Sequence, residues 1–141
     1  LRTSSSTMNA AAICHAVDSY IAAWNARDFE RMAAHFTEPA VFVLASGTHV
    51  LPTRAALADF LRAIFVPLNA RGFGHTVIGA ITSRALADGL YLAEVDDIRR
   101  FHRDGQLMET IEVQYTQRRE ADALLIVSAL WCDPGWRQRL L

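Results

Sequence analysis

Apolar positions along the chain change their period twice, and the changes lay out the elements. From Met8 onward, Ile13, Val17, Tyr20, Ile21 and Trp24 recur at three- and four-residue steps, one stripe of an amphipathic helix ending near residue 25. Asn25 and Arg27 mark its end, and Asp28 is a suitable N-cap for a short second helix with Phe29, Met32, Ala33 and Phe36 inward. Pro39 closes that helix, because the residue before a proline is pushed out of the α region. Residues 41–44 read as a buried strand, and 46–52 as a turn with a short strand around His49. Thr53 caps a third helix striped by Leu57, Phe60, Leu61, Ile64, Phe65 and Leu68.

Beyond residue 73 the period falls to two. Runs of 73–86, 89–103, 106–119 and 122–131 are separated by Asp88-Gly89, Asp104-Gly105 and the cluster at 120–122. Asp-Gly between apolar runs marks a hairpin, since a type I′ turn needs positive φ at both central residues. The expectation is an antiparallel meander of long strands, which must twist and coil strongly. Three helices on the concave side of such a sheet make an α+β cone. Residues 1–7 read as a disordered polar lead-in and 8–141 as one domain.

Composition narrows the class. The chain has 141 residues, 52% hydrophobic and 21% charged, which is globular. A net charge of −1 argues against a nucleic-acid binder. All fourteen basic residues are arginine, so lysine chemistry is excluded. Cys14 and Cys132 sit among apolar neighbours and read as reduced thiols. No apolar run is long enough to span a membrane, and the first residues lack a signal peptide's apolar core. A cytoplasmic protein is expected, with Met8 as its native start or the true start missing. Neither H-x-H nor HExxH occurs, so no metal is expected. No glycine-rich loop opens a helix after a strand and no GxSxG is present, so no cofactor is expected.

The order of elements and the run Tyr20-Ile21-Ala22-Ala23-Trp24-Asn25-Ala26-Arg27-Asp28 resemble the nuclear-transport-factor-2-like superfamily. That group includes ketosteroid isomerases, scytalone dehydratase, limonene epoxide hydrolase and SnoaL-like cyclases. The isomerase run is Tyr-Val-Ala-Ala-Leu-Asn-Ala-Gly-Asp, and Phe36 and Gly47 also keep their places. The resemblance implies the cone fold, a pocket for a hydrophobic small molecule and a homodimer. It puts Tyr20 on the isomerase's oxyanion-hole tyrosine and Leu44 on its general base. The second oxyanion donor falls near Val113 or Gln114. A leucine moves no proton, so the isomerase route is not expected here.

A catalytic acid or base must then come from later strands. A two-residue turn at Asp104-Gly105 pairs Asp96 with Val113, Glu94 with Tyr115 and Asp97 with Glu112. Because Ile111, Val113 and Tyr115 form the apolar set, this register turns Glu94 and Asp96 inward. Asp96 is then the candidate general acid/base, with Tyr20 as hydrogen-bond donor; the alternative is that both acids are solvated at the rim. A one-residue slip instead turns Asp97, Arg99 and Glu112 inward. That set is similar to the trio of limonene epoxide hydrolase in reversed order. Trp24, Phe36, Phe42, Phe60, Tyr115 and Trp131 converge between helices and sheet, as core or as pocket lining. Leu44 and His75, the latter at the cone mouth, complete the candidate ligand contacts. His49 lies at the rim, and His15, His35 and His102 read as surface positions. The first reading is a cofactor-free small-molecule pocket protein of isomerase, dehydratase, cyclase or hydrolase type. The second is a non-catalytic binding or dimeric scaffold domain.

Overall fold

The structure is a computed structural model that describes residues 9–141, so the expectation for residues 1–7 lies outside the described residues. Three helices are α1 (Ala10–Asn25), α2 (Phe29–Ala34) and α3 (Arg54–Ala70). Seven strands are β1 (Phe36–Leu44), β2 (Gly47–Leu51), β3 (Phe73–Val77), β4 (Ile81–Ala87), β5 (Leu90–His102), β6 (Leu107–Glu120) and β7 (Ala123–Cys132). A 3₁₀ turn, Trp136–Gln138, ends the described chain's regular structure.

Each helix begins on a side-chain cap. Asn9 accepts from the Ala12 amide, Asp28 from Arg31 and Thr53 from Ala56. These bonds satisfy amide groups that the first turn leaves free. The Asn25–Asp28 break turns on Arg27, whose φ of 54° is left-handed. The related run carries glycine there. Here the arginine is held by bonds to the Asn25 carbonyl (2.9 Å) and the Phe73 carbonyl (3.2 Å), with its guanidinium over the Phe65 and Phe73 rings.

The strands form one curved sheet in the order β2-β1-β7-β6-β5-β3, with β4 also paired to β5. All pairings are antiparallel except β1 with β7, so the sheet is mixed. The helices pack on its concave face around Tyr20, Trp24, Met32, Phe36, Phe42, Leu61 and Phe65. Two elements differ from their expected form. Helix α2 stops at Ala34, so Phe36 opens β1 and Pro39 lies inside that strand. Pro39 sits where the β1–β7 register shifts, between Phe36 and Val41, a place where a missing amide breaks no ladder bond.

The run 73–86 is not one strand but two, and the gap between them shapes the cone. Residues 78–80 cross β5 at Asp96-Asp97, where the Gly79 amide donates to the Asp96 carbonyl (3.2 Å) and the Asp96 amide to the Ala80 carbonyl (3.0 Å). A Cβ on Gly79 would lie 2.8 Å from the Asp97 Cβ and 2.9 Å from the Asp96 carbonyl oxygen, so only glycine fits. Asp97 itself has φ 52°. On the other side, Val95 pairs with Val113 and Ile98 with Ile111. Two residues of β5 therefore face one of β6, Glu112. This is a β-bulge, which adds twist and bends the strand.

Candidate functional site

The bulge decides what the cone contains. From Ile98 to Arg100, β5 and β6 keep the register that a two-residue turn sets, and a second shift follows between Arg100 and Phe101, where Phe101 pairs with Leu107. Past the bulge the pairing is shifted by one, and Glu94 lies opposite Gln114 instead of Tyr115. Tyr91, Ala93 and Val95 take the concave face, then Ile98 and Arg100 resume it. Facing them on β6 are Glu109, Ile111, Val113 and Tyr115, and Trp131 of β7 pairs with Val113.

This corrects the inward placement of Glu94 and Asp96. Both lie on the outer face, where the Arg137 guanidinium donates to Glu94 (3.0 Å), Asp96 (3.1 Å) and Glu112 (3.2 Å). Arg84 donates to Glu94 as well (2.9 Å). The bond from Arg84 acts first to hold the Glu94 carboxyl below its usual pKa; burial opposes this, and Arg137 adds to it. The alternative inward set is not formed either. Asp97 is exposed and pairs with Arg99 at 3.4 Å, while Glu112 belongs to the Arg137 cluster. Sequence alternation assumes one residue per pleat, and the extra residue at the bulge breaks that count.

Inside, α1, β3, β5, β6 and β7 surround a cavity of about 20 Å³ lined by Tyr20, Trp24, Tyr115 and Trp131, with Arg100, Val113 and neighbouring isoleucines. That is room for about one water. Together with its half-open mouth the space is about 300 Å³, counting solvent. Four expected residues thus meet here. Three others do not: Phe60 packs between Phe42 and His49, His75 stacks on Phe101, and Leu44 ends β1 beside the turn to Gly47. The position assigned to the isomerase's second donor, Val113, does line the cavity, but it brings only methyl groups.

Apart from the Thr76 hydroxyl, which accepts from Trp24, the polar side chains of the cavity bring donors. Tyr20 and Tyr115 are both buried, their rings 6.0 Å apart at 75°. Burial raises both phenol pKa values, against the smaller lowering effect of Arg100, so the hydroxyls keep their protons. The Trp24 indole N–H donates to the Thr76 hydroxyl (3.1 Å), and Asn25 exchanges two bonds with the Thr76 backbone (2.8 and 2.9 Å). This fixes the end of α1 against β3.

Arg100 was not singled out by the sequence, and it is the central charge. It is only 5% exposed. Its guanidinium lies 5.5 Å from the Trp24 ring and 5.0 Å from the Trp131 ring, within cation–π range of both. One Nη donates to Glu109, and Arg71 donates to the other oxygen of that carboxylate (3.2 Å). Burial of Glu109 favours its neutral form, but the two arginines outweigh this and lower its pKa. Arg100 Nε is buried without a partner. In the sequence it is one of two adjacent arginines, and only the register tells which turns inward. Among the described residues no group of three or more His, Cys, Asp or Glu could hold a metal ion. No helix there is long and apolar enough to cross a membrane. Cys14 and Cys132 are free thiols.

Residues 11–134 match the model of a family described as NTF2-like protein (DUF6841). No curated protein matches the chain. Among solved structures, Aln2 from a Streptomyces species is similar at 20% identity and TM-score 0.72, covering 92% of this chain and 94% of that one. ActVI-ORFA from Streptomyces coelicolor is 23% identical with TM-score 0.71, covering 86% and 93%. An NTF2-like protein with a cystatin-like fold from Novosphingobium aromaticivorans is 16% identical with TM-score 0.71, covering 85% and 78%. These likenesses show the fold.

Proposed function

The chain belongs to the NTF2-like protein family (DUF6841), and on that premise we propose that it is a SnoaL-like pocket protein for a hydrophobic small molecule. The observation that carries this is the convergence of Tyr20, Tyr115 and Arg100 on one cavity walled, apart from Thr76, by indole and aliphatic groups. Such a lining, mostly apolar with a few directed polar groups, orients a ring compound through one oxygen. The chemistry it supports is stabilisation of negative charge developing on that oxygen, as in isomerases, dehydratases and cyclases that pass through an enolate. The buried phenols donate, and Arg100 supplies the field. No carboxylate faces the cavity as a free base, since Glu109 at its edge is engaged by two arginines. Asp96 has no part in this reading.

A ring ketone such as 2-tetralone tests it by calorimetric titration. Tyr115→Phe removes one donor and keeps the ring, so binding should weaken by about tenfold, the effect of one lost hydrogen bond in a dry site. The melting temperature of the free protein should change little. Equal binding by wild type and both Tyr20→Phe and Tyr115→Phe would reject the cavity as the site. The homodimer suggested by family resemblance is a separate proposal, tested by sedimentation.

A further inference from the structure

Resting on the reading of the cavity as a ligand site, we propose that its preferred ligands are planar aromatic carboxylates, recognised by Arg100. Three observations carry this. Arg100 lines the cavity, is 5% exposed, and keeps a buried Nε without a partner. Leaving a charged donor unused in a dry site is unfavourable, and a carboxylate oxygen satisfies it better than any neutral group. The local charge is also unbalanced in the right sense. Arg100 and Arg71 share the single carboxylate of Glu109, so the three groups sum to one positive charge. An anion entering the cavity neutralises it.

The walls define the rest of the ligand. Trp24 and Trp131 both lie within cation–π range of the guanidinium and present flat apolar surface near it. Tyr20 and Tyr115 bring protonated hydroxyls, donors that also favour an anionic oxygen. The cavity of about 20 Å³ has room for a water-sized polar head, and Ile21, Ile111 and Trp131 of its lining offer apolar surface to an attached ring. These three wall residues are only partly buried and have room to yield to it. A cavity meant only for a trapped water would satisfy Nε equally well and would show no preference for charge.

Calorimetric titration with 2-naphthoate and its neutral isostere 2-naphthamide separates these cases. The naphthoate should bind at least about tenfold more tightly, as expected for charge-assisted over neutral hydrogen bonding. Arg100→Gln should remove the preference while the amide still binds. Because that variant also loses its bonds to Glu109 and its folding is at risk, Glu109→Gln serves as a second arm. It frees Arg100 from its competitor, and the naphthoate should then bind several-fold more tightly with the amide unchanged. Equal affinity for the two probes in wild type, or no gain in Glu109→Gln, overturns the carboxylate assignment and leaves the pocket intact. Failure of naphthoate, naphthamide and 2-tetralone alike to bind overturns the pocket reading itself.

Discussion

The two faces of strands β5 and β6 carry similar residues and put them to different use. On the outer face, three carboxylates (Glu94, Asp96 and Glu112) gather around Arg137, with Arg84 beside them. On the concave face, two arginines share one carboxylate, and the buried Nε of Arg100 has no hydrogen-bond partner. Acids outnumber bases outside, and bases outnumber acids inside. The residues that look most catalytic in the sequence are therefore consumed in a structural clasp that ties the C-terminal turn to the sheet. The charge that faces the ligand space is an arginine with no distinctive motif. A cluster of acids on a strand is no evidence of a pocket until the strand's register is known.

The largest effect on this division should come from the bulge that creates it. Gly79→Ala drives a methyl into the Asp97 side chain and the Asp96 carbonyl, so about 2–3 kcal/mol of stability should be lost, as in overpacked cores. Urea unfolding reads this directly. A loss below that of ordinary surface substitutions would show that the bulge accommodates a side chain and does not fix the two faces.

Next comes the outer clasp. Glu94→Gln weakens two charge-assisted bonds at a mostly buried position, and about 1–2 kcal/mol should be lost at neutral pH. The folded carboxyl is held below its ordinary value of 4.5, so its contribution is present above that pH. It disappears as the pH falls through the lower, folded value. Urea unfolding of wild type and variant at several pH values should show the difference shrinking on acidification below pH 4.5. A constant difference would mean that the carboxylate's charge is not what Arg84 and Arg137 stabilise.

The smallest effect is expected at Asp96, whose side chain is 37% exposed and bonded on the outer face. Asp96→Asn should alter stability by less than about 0.5 kcal/mol and should leave ring-ketone and naphthoate binding unchanged. Loss of binding in that variant would return the acid to the pocket and dissolve the contrast between the faces.

The apolar periodicity made most of the frame legible. The stripes of α1 and α3 and the capping residues Asp28 and Thr53 appear where the pattern puts them, and the chain reverses at both Asp-Gly pairs, although only the glycines have positive φ, so neither is the expected type I′ turn. The same pattern brought Tyr20, Trp24, Tyr115 and Trp131 together, because large apolar residues on a curved sheet and its covering helices have one interior to share. It misplaced Glu94 and Asp96 and passed over Arg100. Period-two reasoning runs from the nearest turn, and a single unpaired residue reverses every face beyond it. It also joined β3 to β4, since nothing local says that residues 78–80 must leave the ladder.

Residue types and short-range spacing were enough for the helices, most of the strands, the family likeness and the absence of lysine. These are properties which the chain states outright. Which acids turn away from the cavity was settled by a long-range contact. That choice depends on the close passage of Gly79 across Asp96 and Asp97, a contact between segments that sheet pairing alone brings together. The bulge formed there keeps Val95 and Ile98 on the inner face with two residues between them, and so turns Glu94 and Asp96 out, while Arg100 keeps the inward face that the hairpin-side register gives it.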